Sequence, residues 1–417
     1  MVFDEVHFGR MINAYTTTGE YFFELHPPLA KLLIAGAVKL GSYHGNQRFY
    51  AIHWPINHVS PALLRGVPAL AGTLVPLLAF ALLVQLGASD FAAMIGGLAL
   101  ALDNALLIET RILVVDGVLL AASLAALCCA LAGLRDSSGR TAWMLAAGAF
   151  AGLAVGTKLT ALAVVALIAL CGISTWVRDR RWAVLRRLIG AAAAFAASAL
   201  AVYAGGWWLH FALLTGPGSG DRWAPRTGDW IADTLRAHAS MWSENTLLSA
   251  GHSYASAWWS WPLMMRAVLY WAEIGGSNLA FLGNPVVWWG STLGLAAIFA
   301  TGCWRASTRR GPAWPPLLWI PLCGWGLSYL PLAAVPRVLF LYHYLTPLVF
   351  SVCAVVLWLD HSGRFTRPGD WRAQRPSVWA LLAMLVLGFA LISPFTLVYV
   401  KAPAYQEAVF ALFPGWS

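Results

Sequence analysis

The sequence predicts an all-α polytopic membrane protein, and three observations support that prediction. Of its 417 residues, 59% are hydrophobic and 11% are charged, whereas soluble domains carry roughly 25% charged residues. Most of the apolar residues form runs of about twenty, the length that a helix needs to cross a bilayer. Many of the 23 tryptophans stand at the ends of these runs, as in an interfacial aromatic belt. The chain is too hydrophobic for disorder, and its long runs lack the alternation of membrane β-strands.

The first 62 residues are not expected to cross the membrane. Residues 29–40 (LAKLLIAGAVKL) are apolar but too short to span, and they contain Lys31 and Lys39. This pattern predicts an amphipathic helix that lies in the interface. Pro27 and Pro28 precede it and end any upstream helix.

Ten spans are predicted downstream. They lie near 63–84, 91–108, 112–134, 142–157, 158–177, 187–208, 285–303, 314–333, 336–359 and 377–399. The chain therefore divides into an N-terminal loop (1–62), a first bundle (63–208), a second loop (209–284) and a C-terminal four-helix region (285–417).

The distribution of charge predicts the orientation. The connections at 135–140, 178–187, 304–310 and 360–376 hold 14 of the 27 Lys and Arg residues, so the positive-inside rule makes them cytoplasmic. This accounts for the net charge of +9 without a nucleic-acid partner. The opposite side carries 13 of the 18 acidic residues, and we expect the functional site there.

Both termini then lie on the outer side, and a 62-residue tail without a signal is hard to translocate. We therefore expect a further span upstream of Met1.

Two adjacent carboxylates, Asp4 and Glu5, stand in the sequence FDEVHF on the predicted outer side. Charges beside lipid are costly and tend to mark function, and a carboxylate there can act as a general base toward a hydroxyl. A solvated acidic turn is the alternative. His26, in ELHPPLAK, either contacts a charged ligand or is an interfacial polar residue.

Two further motifs combine a cation with other polar groups. Arg111 ends one predicted span, and Asp116 lies about one turn into the next. We expect the two to pair, as a functional or a structural ion pair. Arg337 is predicted to begin a span, followed by His343 and Tyr344; its guanidinium suits a phosphate, or it snorkels within an aromatic belt.

A fifth motif combines small residues with a lysine. Gly148, Gly152 and Gly156 are four apart, a spacing that lets helices pack closely. Lys158 follows at the outer end and is a candidate for a lipid-phosphate contact.

These motifs together make the chain resemble the protein O-mannosyltransferase family, which has the membrane-embedded GT-C glycosyltransferase architecture. The segments that carry the resemblance are FDEVHFG (3–9), YFFELHPPLAKLL (21–33), LRGVPALAGTL (64–74), LDNALLIETRILVVDGVLL (102–120), GLAVGTKLT (152–160), ASAWWSWPLMMR (255–266), LGNPVVWW (282–289) and RVLFLYHYLTPLVF (337–350). They follow the family's order along nearly the whole chain.

The resemblance implies a function and a site. It implies transfer of mannose from polyprenyl-phosphate mannose to Ser or Thr hydroxyls of exported proteins, with inversion. Asp4 and Glu5 would be catalytic, with Asp4 preferred as the base. The residues expected at the donor phosphate are Arg337, Lys158 and Arg111. The site-supporting residues are His26, Arg65, Asp116, His343 and Tyr344.

The resemblance also bears on cofactors, partners and location. We predict no essential metal, since no strong ligand set is visible, and leave assistance by Mg²⁺ or Mn²⁺ open. The expected location is the cell (inner) membrane, with the site facing the periplasm or exterior, and coupling to the secretion machinery is a further expectation. The 209–284 loop is too short for the β-trefoil (MIR) domain of eukaryotic members, as in bacterial ones, and we expect the family's first transmembrane helix upstream of Met1.

Two alternatives are open at this stage. One is a GT-C enzyme that glycosylates a lipid or polysaccharide, such as an aminoarabinose-type lipid A transferase. The other is a transporter or flippase, which would predict internal repeats and broken helices at mid-membrane; we find no repeat.

Overall fold

The computed structural model describes all residues except 137–138, 219–225, 248–250, 274–277, 310–313, 366–375, 398–402 and 417. The α-helices are α1 (Glu5–Asn13), α2 (Leu29–Leu40), α3 (Pro61–Gln85), α4 (Asp90–Ala101), α5 (Asn104–Arg111), α6 (Asp116–Arg135), α7 (Arg140–Val155), α8 (Leu162–Arg178), α9 (Trp182–Leu213), α10 (Trp230–Leu247), α11 (Pro285–Thr308), α12 (Trp319–Tyr329), α13 (Leu345–His361), α14 (Pro376–Thr396) and α15 (Pro403–Leu412). Strands β1 (Val268–Ala272) and β2 (Asn278–Phe281) pair antiparallel. The predicted helical fold class is confirmed, with this hairpin as an addition.

The chain forms two compact units that interleave along the sequence. The first consists of residues 1–72, 110–250 and 334–338, and the second of residues 73–109, 251–333 and 339–417.

Close helix packing in the first unit depends on small residues, as predicted. A Cβ on Gly148 would lie 2.1 Å from the carbonyl oxygen of Phe195, and one on Gly152 would lie 2.5 Å from that of Ala199. These distances leave no room for a side chain, so the glycines of α7 allow α9 to pack directly against its backbone.

The helix predicted at 29–40 is present as α2, with the same bounds. The backbone N–H of Leu29 donates to the carbonyl of Gly156 at 2.8 Å. A Cβ on Gly156 would lie only 2.2 Å from the Leu29 side chain. The end of α7 therefore holds the beginning of α2 in place.

In the second unit, buried polar side chains connect the helices. The carboxylate of Asp360 on α13 accepts bonds from the backbone N–H and the hydroxyl of Ser89 at 2.7 and 2.9 Å. Asp103 accepts from the backbone N–H of Asn284 and the indole N–H of Trp288, both at 2.9 Å. The LGNPVVWW motif thus has a structural role in joining α11 to the α4–α5 connection.

The number of spans is lower than the ten predicted. Seven helical segments within the described residues are long and apolar enough to cross a membrane, and the α4–α5 pair, bent by 61°, can supply an eighth. The segment predicted at 142–157 is α7, with 16 residues. The segment predicted at 314–333 shortens to α12, with 11 residues. Pro315 and Pro316 precede α12 and Pro331 follows it, and proline disrupts helical hydrogen bonding.

Candidate active site

Glu5 anchors the N-terminal segment of the first unit. It is buried, and its two carboxylate oxygens accept from the Nε and Nη2 atoms of Arg65 at 2.7 and 2.8 Å. The same oxygens accept from the backbone N–H groups of Leu113 and Val2, both at 3.0 Å. Glu5 thereby ties α1 to α3 and to the α5–α6 connection. With four donors already around it, Glu5 is suited to positioning its neighbour.

Asp4 lies beside this anchor in a different state. It is the N-cap residue of α1, yet its side chain accepts no capping hydrogen bond from that helix. Phe3, directly before it, has φ +41°, in the left-handed region, which a bulky residue adopts at a cost. The half-buried carboxylate of Asp4 is therefore held close to a fully bonded one without being used as a helix cap.

Several charged groups from distant parts of the sequence act on Asp4. Burial raises the pKa of Asp4 above its usual range; Glu24 and Asp116 raise it further, while His7 and Lys158 lower it. The fold thus brings the DE, ELHPPL, ILVVD and GTKL motifs to one place. A carboxyl group with a raised pKa is a stronger base when ionised, which suits proton abstraction from a hydroxyl.

Asp116 has a different ion-pair partner from the one predicted. We expected Arg111, but the Nζ atom of Lys158 lies 2.8 Å from both Asp116 carboxylate oxygens. Asp116 begins α6, and Lys158 has an extended backbone between α7 and the following 3-10 turn. Arg111 is the last residue of α5 and is half-buried. The ends of α6 and α7 place Lys158 opposite Asp116, and the sequence spacing of the two residues did not predict this.

The half-buried Glu24 and the buried Lys31 form a second ion pair, which was not predicted from the sequence. The Lys31 ammonium lies 3.3 Å from Glu24 and donates to the backbone carbonyls of His26 and Pro27 at 2.9 and 3.1 Å. Lys31 is buried, so of the two lysines of α2 only Lys39 is exposed. Lys31 lies on the same helix face as Ile34, Ala35 and Val38. A lysine on the apolar face of a predicted helix was therefore the sequence feature that could have indicated a buried ion pair.

The Glu24–Lys31 pair shapes the turn that contains His26. The backbone N–H of His26 donates to Glu24 at 3.2 Å, and the His26 side chain is half-buried. Burial lowers the pKa of Lys31, and Glu24 opposes this effect. A hydrogen-bonded, charged turn therefore lies within electrostatic range of Asp4 in the first unit.

The remaining predicted residues fall in both units. Arg337 belongs to the first unit, but it does not begin a helix as predicted, since residues 335–340 are not helical. His343 and Tyr344 lie in the second unit, in the 3-10 turn Leu341–Tyr344. Tyr344 is fully buried and accepts from the indole N–H of Trp325 at 3.2 Å. Their site-supporting roles stay predictions.

Across the part of the chain that the structure describes, no group of three or more His, Cys, Asp or Glu side chains could hold a metal ion.

Comparison with known proteins identifies the family. Residues 1–215 match the family model described as dolichyl-phosphate-mannose-protein mannosyltransferase. The chain belongs to the protein O-mannosyltransferase family. Residues 230–408 match the C-terminal four-TMM region of protein O-mannosyltransferases, so the two models cover almost the whole chain.

Individual protein O-mannosyltransferases match shorter stretches. Protein O-mannosyltransferase 1 of Drosophila melanogaster is 33% identical over 234 residues, which is 53% of this chain and 26% of that protein. Dolichyl-phosphate-mannose–protein mannosyltransferase 4 of Schizosaccharomyces pombe is 34% identical over 165 residues, 38% of this chain and 21% of that protein. The matched stretches amount to about a quarter of the length of these curated relatives.

The family fold is also found among solved structures. A chain of the Saccharomyces cerevisiae protein O-mannosyltransferase Pmt1–Pmt2 complex, bound to the sugar donor, aligns with a TM-score of 0.89 at 18% identity, covering 100% of this chain and 89% of its own. ArnT from Cupriavidus metallidurans bound to undecaprenyl phosphate aligns at 0.51 and 16%, covering 99% and 71%. These similarities establish the GT-C fold of this chain.

Proposed function

We propose that this chain transfers mannose from a polyprenyl-phosphate mannose to Ser or Thr hydroxyls of exported proteins. The observation that carries the proposal is the contrast between the two adjacent carboxylates. Glu5 accepts four hydrogen bonds from Arg65 and two backbone N–H groups. Asp4 is half-buried, makes no capping hydrogen bond to α1 and has a raised pKa. Asp4 is the base that takes the proton from the acceptor hydroxyl, and Glu5 holds it in position.

The donor phosphate requires cationic stabilisation as it leaves, because negative charge develops on its oxygens. Lys158, Arg111 and Arg337 belong to the same unit as Asp4, and we assign the phosphate to them. Lys158 is oriented by Asp116. The acceptor hydroxyl oxygen attacks the anomeric carbon, and the lipid phosphate leaves with inversion at that carbon.

We further propose that the reaction takes place on the outer side of the cell membrane. Support comes from the concentration of Lys and Arg in the opposite connections. The acceptors are then proteins that are modified during or after export. We propose that the enzyme is coupled to the secretion machinery.

The test is transfer of radiolabelled mannose from polyprenyl-phosphate mannose to a Ser/Thr peptide in membranes. We expect Asp4→Asn to lower transfer by roughly 10²–10⁴-fold, the usual contribution of a general base. Glu20→Gln is the matched control, since Glu20 is an exposed carboxylate in the same predicted outer segment. Equal activity of wild type and Asp4→Asn would refute the assigned base. Transfer to lipid but to no peptide would favour the lipid-glycosylating alternative.

A further inference from the structure

An apolar groove lies in the first unit, and neither Asp4 nor its charged neighbours line it. It has a volume of about 360 Å³ and is lined mainly by α8 and α9, with one residue each from α6 and α7. Its lining includes Ile168, Gly172 and Trp176 of α8 and Leu188 and Ala192 of α9. No charged side chain lines it, so the mechanism proposed above does not use it.

The dimensions of the groove match one leaflet of a bilayer. The lining residues run from Val165 to Trp176 on α8 and from Leu185 to Phe195 on α9. At about 1.5 Å per residue each helix contributes a wall of roughly 15–17 Å. Half of a hydrocarbon core of about 30 Å is the same length. The groove therefore fits an acyl chain that extends from one membrane surface to the bilayer centre.

A cluster of arginines stands at one end of the groove. Five exposed arginines lie at the end of α8, on the α8–α9 connection and on the first turns of α9: Arg178, Arg180, Arg181, Arg186 and Arg187. Asp179 pairs with Arg181. The Arg180 guanidinium lies 5.2 Å from the centroid of the Trp176 ring, which itself lines the groove. The positive charge is thus directly continuous with the apolar wall.

We propose that this groove binds an anionic diacyl glycerophospholipid, with an acyl chain between α8 and α9 and its phosphate among the arginines. Charge complementarity selects the headgroup, because basic clusters at a membrane surface attract anionic lipid by an amount that corresponds to roughly fivefold per Arg. By the positive-inside rule this leaflet is the cytoplasmic one, opposite the predicted outer side that carries Asp4. The lipid is therefore a bound component distinct from the sugar donor.

The groove itself is tested with a phosphatidylglycerol probe that carries a photoreactive group on one acyl chain. The full chain, solubilised in detergent, is crosslinked, and the labelled peptides are mapped by mass spectrometry. We expect labelling within residues 165–195. Gly172→Leu should lower it at least fivefold, since a Cβ at Gly172 meets nothing within 4 Å and the side chain can fill the groove. Gly190→Leu is the matched control: that glycine of α9 also has open space but does not line the groove.

The headgroup preference is tested with the same probe. Unlabelled phosphatidylglycerol should displace it, and phosphatidylcholine should displace it at least tenfold less effectively. Arg186→Gln with Arg187→Gln should weaken labelling by roughly 25-fold at low salt, whereas Arg309→Gln with Arg364→Gln, exposed cations of the second unit, should not. Labelling unchanged in Gly172→Leu would overturn the groove assignment. Equal competition by phosphatidylcholine, or stronger competition by polyprenyl phosphate, would overturn the assignment of the lipid.

Discussion

Replacing Glu5 by Gln tests whether this carboxylate anchors α1 through the hydrogen bonds that it accepts. The two oxygens of Glu5 accept four hydrogen bonds, two on each, from Arg65, Leu113 and Val2. A glutamine has the same shape, but one of its two terminal atoms is an NH₂ group and would face two donors. Two of the four bonds are therefore lost.

The size of the effect follows from these contacts. Hydrogen bonds to charged groups contribute about 1.5–3 kcal/mol each, so two of them amount to about 3–6 kcal/mol. The Arg65 side chain is 30% exposed, and water can take the donors that it releases. We expect Glu5→Gln to lower the free energy of unfolding by about 3 kcal/mol, at the lower end of that range.

The assay is unfolding of the purified chain in mixed micelles by titration with sodium dodecyl sulfate. Glu20→Gln, which changes an exposed carboxylate, should stay within about 0.5 kcal/mol of wild type. A double-mutant cycle with Arg65→Gln should give a coupling of about 1–3 kcal/mol. A stability of Glu5→Gln equal to that of the Glu20→Gln control would refute the proposed anchoring role.

Two further predictions concern the acidic site and the helix packing. The acidic limb of the pH–rate profile should have its midpoint above 3.8, the ordinary value for Asp, because Asp4 must be ionised to act as a base and burial raises its pKa. Asp116→Asn removes a negative charge and should move that midpoint down, whereas Lys158→Gln removes a positive charge and should move it up; shifts in the same direction would contradict the assignment. Gly148→Ala should destabilise the chain by about 1–3 kcal/mol in the detergent titration, because its Cβ would meet a backbone carbonyl of α9. Gly190→Ala, where a Cβ meets nothing, should be neutral or stabilising by up to about 1 kcal/mol, and equal effects of the two substitutions would argue against close α7–α9 packing.

The candidate site could be predicted in its components but not in its connections. The motifs around Asp4, Glu5 and Lys158 were recognisable, because charged groups in a membrane protein are few and stand out. The partners were not: Asp116 pairs with Lys158, 42 residues away, and not with the nearby Arg111. Such pairings depend on how helix ends are placed by packing.

The sequence by itself determined the fold class and the limits of α2. Long apolar runs form α-helices in lipid, because every backbone polar group must then be hydrogen-bonded within its own segment. The glycine spacing in α7 likewise predicted close packing correctly, because removing side chains is the local requirement for close contact between helices.

Only the tertiary structure distinguished the surroundings of the two neighbouring carboxylates. Glu5 and Asp4 are adjacent and chemically alike. Glu5 accepts hydrogen bonds from Arg65 and from the backbone N–H groups of residues 2 and 113, whereas Asp4 makes no capping hydrogen bond. The number of spans and the burial of Lys31 were also decided there. In each case the deciding contacts join segments that the chain holds apart, and local spacing carries no information on which donor will reach which acceptor.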